Sequence, residues 1–200
     1  IDGNKLKRLE ASIFSQSINL FRINLAYNEL EELNGKVFNG LTNLKELALN
    51  DNKLKRLEAS IFSQLINLSK LWLNSNALEV LDEKVFDGLT NLKTIDLDCN
   101  KLKRLDGSML RRMTKLEILS VNRNQLEELD LNLSRELPNL NYLFIDENKL
   151  SEIDRSIFCH FKSLSLISIT GNPKKYLSYL DENKEIDPEL SYDEVRLVHI

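Results

Sequence analysis

The sequence predicts a repeat solenoid, with a parallel β-sheet on its concave face and short helices or irregular turns on its convex face. One observation is an asparagine that recurs every 24 residues, at Asn4, Asn28, Asn52, Asn76, Asn100, Asn124, Asn148 and Asn172. Another is the apolar grid around six of them, as in Leu20-x-x-Ile23-x-Leu25-x-x-Asn28-x-Leu30. A third is a 48-residue period, because the stretch 4–16 recurs letter for letter from position 52. Fixed periods in this range are typical of solenoids, whose repeats pack only on their neighbours.

Each repeat divides into a strand and a return segment. The stretch x-Leu-x-Leu-x alternates apolar with polar residues, which is the pattern of a strand with one buried face. Units this short cannot return antiparallel, so successive strands must pair in parallel. The return segment carries apolar residues such as Val37, Phe38 and Leu41, spaced for about one helical turn. We therefore expect a short helix or an irregular turn there.

The repeats divide the chain into two parts. Residues 1–172 hold a partial first repeat without its strand, six full repeats and a partial last repeat. The full repeats begin at Leu20, Leu44, Leu68, Leu92, Leu116 and Leu140, and the partial last repeat begins at Leu164. Pro173 follows the last asparagine of the series, which is a favourable start for a helix. We expect residues 173–200 to form a C-terminal cap over the last apolar layer, or a linker to a further domain.

The recurring asparagine is predicted to be structural. Its side chain lies where the strand ends and the chain bends inward, which leaves backbone N–H and C=O groups unpaired. An amide offers both donors and an acceptor, so a stack of amides can serve its own turn and the next. The members from Asn28 onward form this predicted asparagine ladder. A row of ligand-binding amides is the alternative interpretation.

The pattern L-x-x-L-x-L-x-x-N-x-L resembles the leucine-rich repeat family, and the resemblance covers residues 4–172. The 24-residue length resembles the "typical" subclass, as does a phenylalanine on the return segment at Phe14, Phe38, Phe62, Phe86 and Phe158. The resemblance implies an α/β horseshoe and, because the subclass occurs in Toll-like receptors, small leucine-rich proteoglycans and variable lymphocyte receptors, an extracellular recognition function. The cysteine-rich caps of that family are missing at both ends, and acidic residues or asparagine stand where it often has proline.

The 48-residue period predicts alternating charge along one edge. Lys5, Lys7 and Arg8 stack beside Glu29, Glu31 and Glu32, and the same alternation continues along the chain. A basic patch for nucleic acid would instead place like charges side by side. This arrangement favours an intramolecular stripe of ion pairs. With a net charge of only −4, it predicts no nucleic-acid partner.

Candidate binding residues are the outward side chains of the predicted sheet. Solvated sheet faces usually carry small and charged residues, whereas this one also carries exposed aromatic and aliphatic side chains, the composition of interface hot spots. The candidates are Arg22, Tyr27, Glu46, Lys70, Trp72, Asp96, Asp98, Ile118, Tyr142, Phe144 and Asp146. Packing of these side chains on one another is the alternative interpretation.

Other functional classes have little support in the sequence. The two histidines, His160 and His199, indicate no nucleophile–base pair, and no zinc spacing or glycine-rich phosphate loop occurs. We therefore predict no enzyme, no cofactor and no metal, with Asp96, Asp98 and Asp146 too far apart for a tight calcium site. Cys99 and Cys159 are expected to be free thiols. No 18-residue apolar run is present, so direct membrane insertion is not expected.

These features predict a non-catalytic protein-recognition module, the ligand-binding part of a secreted or cell-surface protein. Its concave face would bind a protein ligand or another leucine-rich repeat chain. The alternative is a structural or self-associating scaffold, matrix-like or intracellular, in which the first apolar layer pairs with a second copy to give a homodimer. The expected location is extracellular or at the cell surface. A cytoplasmic location is the alternative, and the free thiols and the missing caps are its support.

Overall fold

A computed structural model of the chain describes residues 2–151, 157 and 160–173. It confirms the predicted solenoid. Seven three-residue strands form one sheet in sequence order, and every neighbouring pair is parallel. The strands are β1 Arg22–Asn24, β2 Glu46–Ala48, β3 Lys70–Trp72, β4 Thr94–Asp96, β5 Ile118–Ser120, β6 Tyr142–Phe144 and β7 Leu166–Ser168. Partners in the register differ by 24 residues, as in Arg22 and Glu46, so one repeat is one coil.

The core is a ribbon of leucine layers between the strands and the return segments. The central residue of every strand is buried, and Leu47, Leu71 and Leu119 are fully so. The next apolar position, such as Leu49 or Leu73, is fully buried as well. Each coil thus buries its leucines against the coils on either side, which makes stability depend on neighbour contacts.

The asparagine ladder joins each coil to the one before it. The amide nitrogen of Asn52 donates to the carbonyls of Leu49 in its own coil and of Leu25 in the preceding coil, both at 3.0 Å. Its Oδ1 accepts the N–H of Leu30 at 3.0 Å. The same pattern recurs from Asn76 to Asn172. The neighbour served is therefore the preceding coil and not the next one, because the side chain points toward the N-terminal end of the stack. Asn4 is exposed, and its amide donates to the carbonyl of Asp2 at 2.9 Å.

The residue before each ladder asparagine adopts a left-handed backbone conformation. Its φ lies between 52° and 54° in all six non-glycine cases, which are Tyr27, Asp51, Ser75, Cys99, Arg123 and Glu147. Gly3 and Gly171 occupy the same position in the outer coils, also with positive φ. This conformation disfavours residues with a Cβ. The sharp turn at this residue brings the next asparagine into its ladder position. The hydrogen bonds formed there offset the energetic cost of the left-handed conformation.

A second row of asparagines, which the sequence analysis missed, lies just before strands β2, β3, β4 and β6. The amide of Asn43 donates to the carbonyl of Ile18 at 3.2 Å, and that of Asn91 donates to Ile66 at 2.7 Å. Asn67 and Asn139 make the equivalent bonds. The signal was available, because these asparagines follow the same 24-residue spacing. Their exposed position makes them less prominent than the buried ladder.

The convex side consists mostly of turns around a phenylalanine stack. The rings of Phe14, Phe38, Phe62 and Phe86 follow one another at centroid distances of 6.2, 6.4 and 6.4 Å. The stack stops where Leu110 and Ser134 replace phenylalanine. Two short helices, α1 Gly107–Leu110 and α2 Leu133–Glu136, lie in those two coils.

Candidate interaction surface

The outward side chains of the strands form the concave face, as predicted. Its N-terminal third is a chain of ion pairs across β1, β2 and β3. Arg22 Nε lies 2.7 Å from one carboxylate oxygen of Glu46, and Lys70 Nζ lies 3.6 Å from the other. These three candidates are therefore brought together, and they compensate one another's charge within the chain.

The centre of the face joins an aromatic ring to a desolvated acid. Trp72 ends β3 and stands opposite Asp96 of β4 in the register, and both side chains are half-buried. Burial raises the pKa of Asp96 from its ordinary value of 3.8 to about 6, although a hydrogen bond from the Asp98 N–H partly opposes this. The nearby carboxylates of Asp98 and Asp51 raise the pKa further. Among the described residues, no cation forms an ion pair with Asp96, so its charge is compensated poorly within the chain.

This desolvation predicts a pH-dependent stability. Because the folded pKa of Asp96 exceeds the unfolded one, the folded state binds more protons between about pH 4 and 6, and stability falls as pH rises through that window. Asp96→Asn keeps the acceptor for the Asp98 N–H and removes the charge. We expect it to raise the free energy of unfolding by about 1 kcal/mol near pH 7.5, a figure reduced for partial exposure, and to change little near pH 4.

Urea denaturation of both proteins at the two pH values measures this difference. Asp82→Asn is the matched control, since the exposed Asp82 also accepts a backbone N–H, from Lys84 at 2.9 Å. An equal gain at both pH values, or a gain as large in the control, would contradict the assignment.

A polar network runs from coil to coil along the edge of the sheet at which the strands end. The carboxylate of Asp98 accepts the Ser120 hydroxyl at 2.7 Å, the Asn122 N–H at 2.7 Å and the Asn122 amide at 3.1 Å. Asn122 Oδ1 accepts the N–H of Asp146 at 2.7 Å. Asp98 and Asp146 are thus both tied into the network, and their oxygens face hydrogen-bond donors, not a common centre for calcium.

The network ends at Ser168, an outward strand residue that is nevertheless buried. Ser168 donates its hydroxyl to both carboxylate oxygens of Asp146, at 2.7 and 2.9 Å, and is buried. Ser168 thus occupies an outward position of β7 without meeting solvent. The alternation of a strand defines which side of the sheet a residue faces, but a neighbouring side chain decides whether it meets solvent.

The C-terminal third of the face is aromatic and aliphatic. The rings of Tyr142 and Phe144 stack in parallel at a centroid distance of 6.5 Å, and Tyr142 is 39% exposed. Ile118 and Leu166 flank Tyr142 in the register. Tyr27 lies apart, at the turn after β1, and is exposed. The predicted alternative, that the aromatics pack on each other, thus describes the contact between Tyr142 and Phe144.

The remaining features lie away from this face. A cleft of about 580 Å³ on the side of the last coils is lined by Arg104, Leu105, Asp106, Glu128, Leu129, Asp130, Leu131, Asn132, Arg135 and His160. Cys99 is a free, half-buried thiol, whereas Cys159, His199 and the predicted cap lie outside the described residues. Across residues 2–151 and 160–173, no helix has the length and apolar composition needed to cross a membrane.

Comparisons with known proteins agree with this geometry. A leucine rich repeat profile matches six overlapping stretches, residues 1–54, 22–75, 42–102, 66–126, 90–146 and 114–173. A search of curated proteins found no significant match to the sequence. Among solved structures, a TLR13–ssRNA13 complex aligns with a TM-score of 0.79 and 28% identity, over 84% of this chain and 24% of that one.

Two further structures are similar. The glycosylated Toll–Spatzle complex of Drosophila aligns with a TM-score of 0.78 and 26% identity, over 84% of this chain and 24% of that one. The APL1 leucine-rich repeat domain has a TM-score of 0.69 at 23% identity, over 85% and 45% of the two chains, and shows the fold alone. This chain spans about a quarter of the length of the first two. Since one of them is named for its RNA ligand, the likeness gives no support to the expectation that nucleic acid is excluded. On the profile matches, the chain belongs to the leucine-rich repeat family.

Proposed function

We propose that this chain is a non-catalytic recognition module whose concave face binds a protein partner. The observation that carries the proposal is the half-buried Trp72 beside the poorly compensated Asp96. We also propose that it belongs to a secreted or cell-surface protein, with residues 1–172 as the repeat domain and 173–200 as a cap or linker. Support comes from the likeness to Toll in complex with Spatzle, which is a protein-bound relative of the same fold.

The chemistry of the concave face indicates which groups a partner would need. Its aromatic third offers Ile118, Tyr142 and Phe144 to apolar side chains, since aromatic residues in shallow pockets are what interfaces use as anchors. Its centre offers a carboxylate to a cation. A partner with a lysine or arginine aimed at Asp96, next to an apolar group over Trp72, would compensate both features at once.

The desolvated setting of Asp96 supports this. A carboxylate whose pKa is raised to about 6 destabilises the folded chain at neutral pH. A cationic group brought by a partner would lower that pKa again and would gain from the low local dielectric. Binding should then release protons near pH 6, an effect that depends on Asp96.

The test measures partner binding after two aromatic side chains of the concave face have been replaced. The chain, immobilised as bait, retrieves candidate partners from secreted proteins of its source, and the affinity of each purified candidate is measured by interferometry. We expect the double variant Trp72→Ala, Phe144→Ala to weaken binding at least about a hundredfold and to change the melting temperature little. Leu131→Ala, at an exposed residue off the concave face, is the matched control. Unchanged affinity in the double variant would refute the proposal.

A specific observation favours self-association as a second candidate. Ile18 and Phe21, two large apolar side chains three residues apart, are 55% and 66% exposed. Neighbouring exposed apolar groups favour burial against a second copy. Light scattering over a concentration series decides the matter, because a strict monomer removes this candidate.

A further inference from the structure

The flank that follows the ladder asparagines contains one interruption of its charge pattern. In the first coils the predicted alternation holds: Arg8 lies 3.9 Å from Glu32, and Lys53 lies 2.9 Å from Glu29. The hydrogen bond and charge of Lys53 hold the pKa of Glu29 below its ordinary value. Basic layers at 5–8 and 53–56 thus enclose an acidic layer at 29–32.

The layer at 77–80 does not repeat this arrangement. Ala77 stands where Glu29 stands one 48-residue period earlier, and Val80 stands where Glu32 stands. Glu79 is the one acid of this layer, and it pairs with Lys101 at 3.7 Å. Val80 is 74% exposed, more than any other large hydrophobic residue in the described part of the chain.

The interruption removes acids from one side of each neighbouring basic layer, the side facing 77–80. On the outer sides, Glu31 and Glu32 and also Glu127 and Glu128 keep the alternation. The layers 53–56, 77–80 and 101–104 together hold six basic side chains and one acidic one, a net charge of +5. Lys53 and Lys101 have their ion pairs. Across the described residues, no ion pair joins an acid to the four exposed cations that remain. They are Lys55, Arg56, Lys103 and Arg104.

We propose that Val80 and these four cations form a second binding surface, the Val80 patch, for an acidic protein segment with an apolar side chain at its centre. The two basic layers lie two coils apart, which is about 10 Å at the spacing of parallel strands. In an extended segment, residues one or two places on either side of a central residue span a similar length at about 3.3 Å each. The anchor would contact Val80 while carboxylates on both sides meet the basic layers. This patch is on the flank and is independent of the concave face.

The border of the patch favours a protein segment over a continuous polyanion. Exposed carboxylates at Glu58, Asp82 and Glu83 lie just beyond it along the chain. A nucleic-acid backbone carries a charge at every residue and would meet them, and it offers no apolar group for Val80. A short segment with separate charges and one anchor avoids both conflicts.

The test uses the full chain and a fluorescein-labelled peptide, Gly-Glu-Glu-Leu-Glu-Glu-Gly, followed by fluorescence anisotropy at low and high salt. Val80→Glu restores the alternation seen at Glu32. We expect this variant to weaken peptide binding about tenfold or more through like-charge repulsion and to leave the melting temperature unchanged or higher. Val80→Ser removes only the anchor and should weaken the leucine peptide but not a peptide with serine in its place.

Controls separate the patch from other surfaces. Ile13→Glu makes a similar apolar-to-acid change at a 46% exposed site in the first coil, away from the patch, and should not alter peptide binding. The Trp72, Phe144 double variant should not alter it either. No saturable peptide binding at millimolar concentration would overturn the proposal. Tighter binding of a 13-nucleotide single-stranded RNA, with no effect of Val80→Ser, would overturn it in favour of a polyanion site.

Discussion

Phe62→Ala is expected to lower the free energy of unfolding by about 4 kcal/mol, since large-to-small changes at buried phenylalanine typically cost about 3–5 kcal/mol. The side chain is fully buried, and its ring lies 6.4 Å from each of Phe38 and Phe86. The variant removes the ring from the middle of the stack and leaves a cavity between coils. A solenoid is stabilised by contacts between neighbouring coils. The variant therefore weakens the contacts that connect the N-terminal coils to the C-terminal coils.

Guanidinium denaturation followed by circular dichroism measures this effect. These contacts between coils should weaken enough to broaden the transition or divide it into two steps. Phe21→Ala is the matched control, because the same residue type is 66% exposed there and its loss should change stability by less than about 0.5 kcal/mol. If both variants lose the same amount, the phenylalanine stack is not what joins the coils.

Asn124→Ala is expected to lower the free energy of unfolding by about 3 kcal/mol, because it leaves buried backbone groups without partners. The amide of Asn124 donates to the carbonyls of Leu97, Val121 and Asn122 at 3.0–3.1 Å, and its Oδ1 accepts the N–H of Leu102 at 3.0 Å. Two coils therefore lose hydrogen bonds from one substitution. Thermal and chemical denaturation both measure the loss.

Two further variants identify the cause. Asn91→Ala removes an exposed amide of the second asparagine row, which donates to one carbonyl and accepts a hydrogen bond from one lysine. This variant should lower the free energy of unfolding by less than about 1 kcal/mol. Asn124→Asp keeps the shape but replaces the donors with a carboxylate facing carbonyl oxygens. We expect it to be at least as destabilising as alanine at neutral pH. An aspartate variant as stable as the native chain would contradict the hydrogen-bonding role.

The fold could be predicted because its information is local and periodic. Apolar alternation around Leu47 or Leu71 defines a strand, and a 24-residue unit can place the next strand only beside it and parallel. The same spacing predicted the buried row of Asn52 and its equivalents. It did not predict the direction of the ladder, since the side chain could equally reach either neighbouring coil until the orientation of the turn is known.

The sequence was sufficient to predict which residues lie on the candidate surface. It was not sufficient to predict their burial, ion pairing or pKa. Alternation alone assigned Trp72, Asp96 and Tyr142 to one face. The desolvation of Asp96, the ion pair of Arg22 with Glu46 and the burial of Ser168 depend on what the adjacent strand carries at the same register. Those neighbours are 22 to 24 residues away in the chain. The pattern of one repeat does not describe them.

The 24-residue period by itself was sufficient to establish the coil, the parallel sheet and the leucine core, because each follows from backbone geometry repeated without change. The tertiary structure decided which polar groups are satisfied and which are left over. Stacking places Asp98 against Ser120 and Asn122, and it leaves Asp96 and the cations around Val80 without an ion-pairing partner among the described residues. Charge and desolvation depend on distances between coils, and those distances exist only once the coils are stacked.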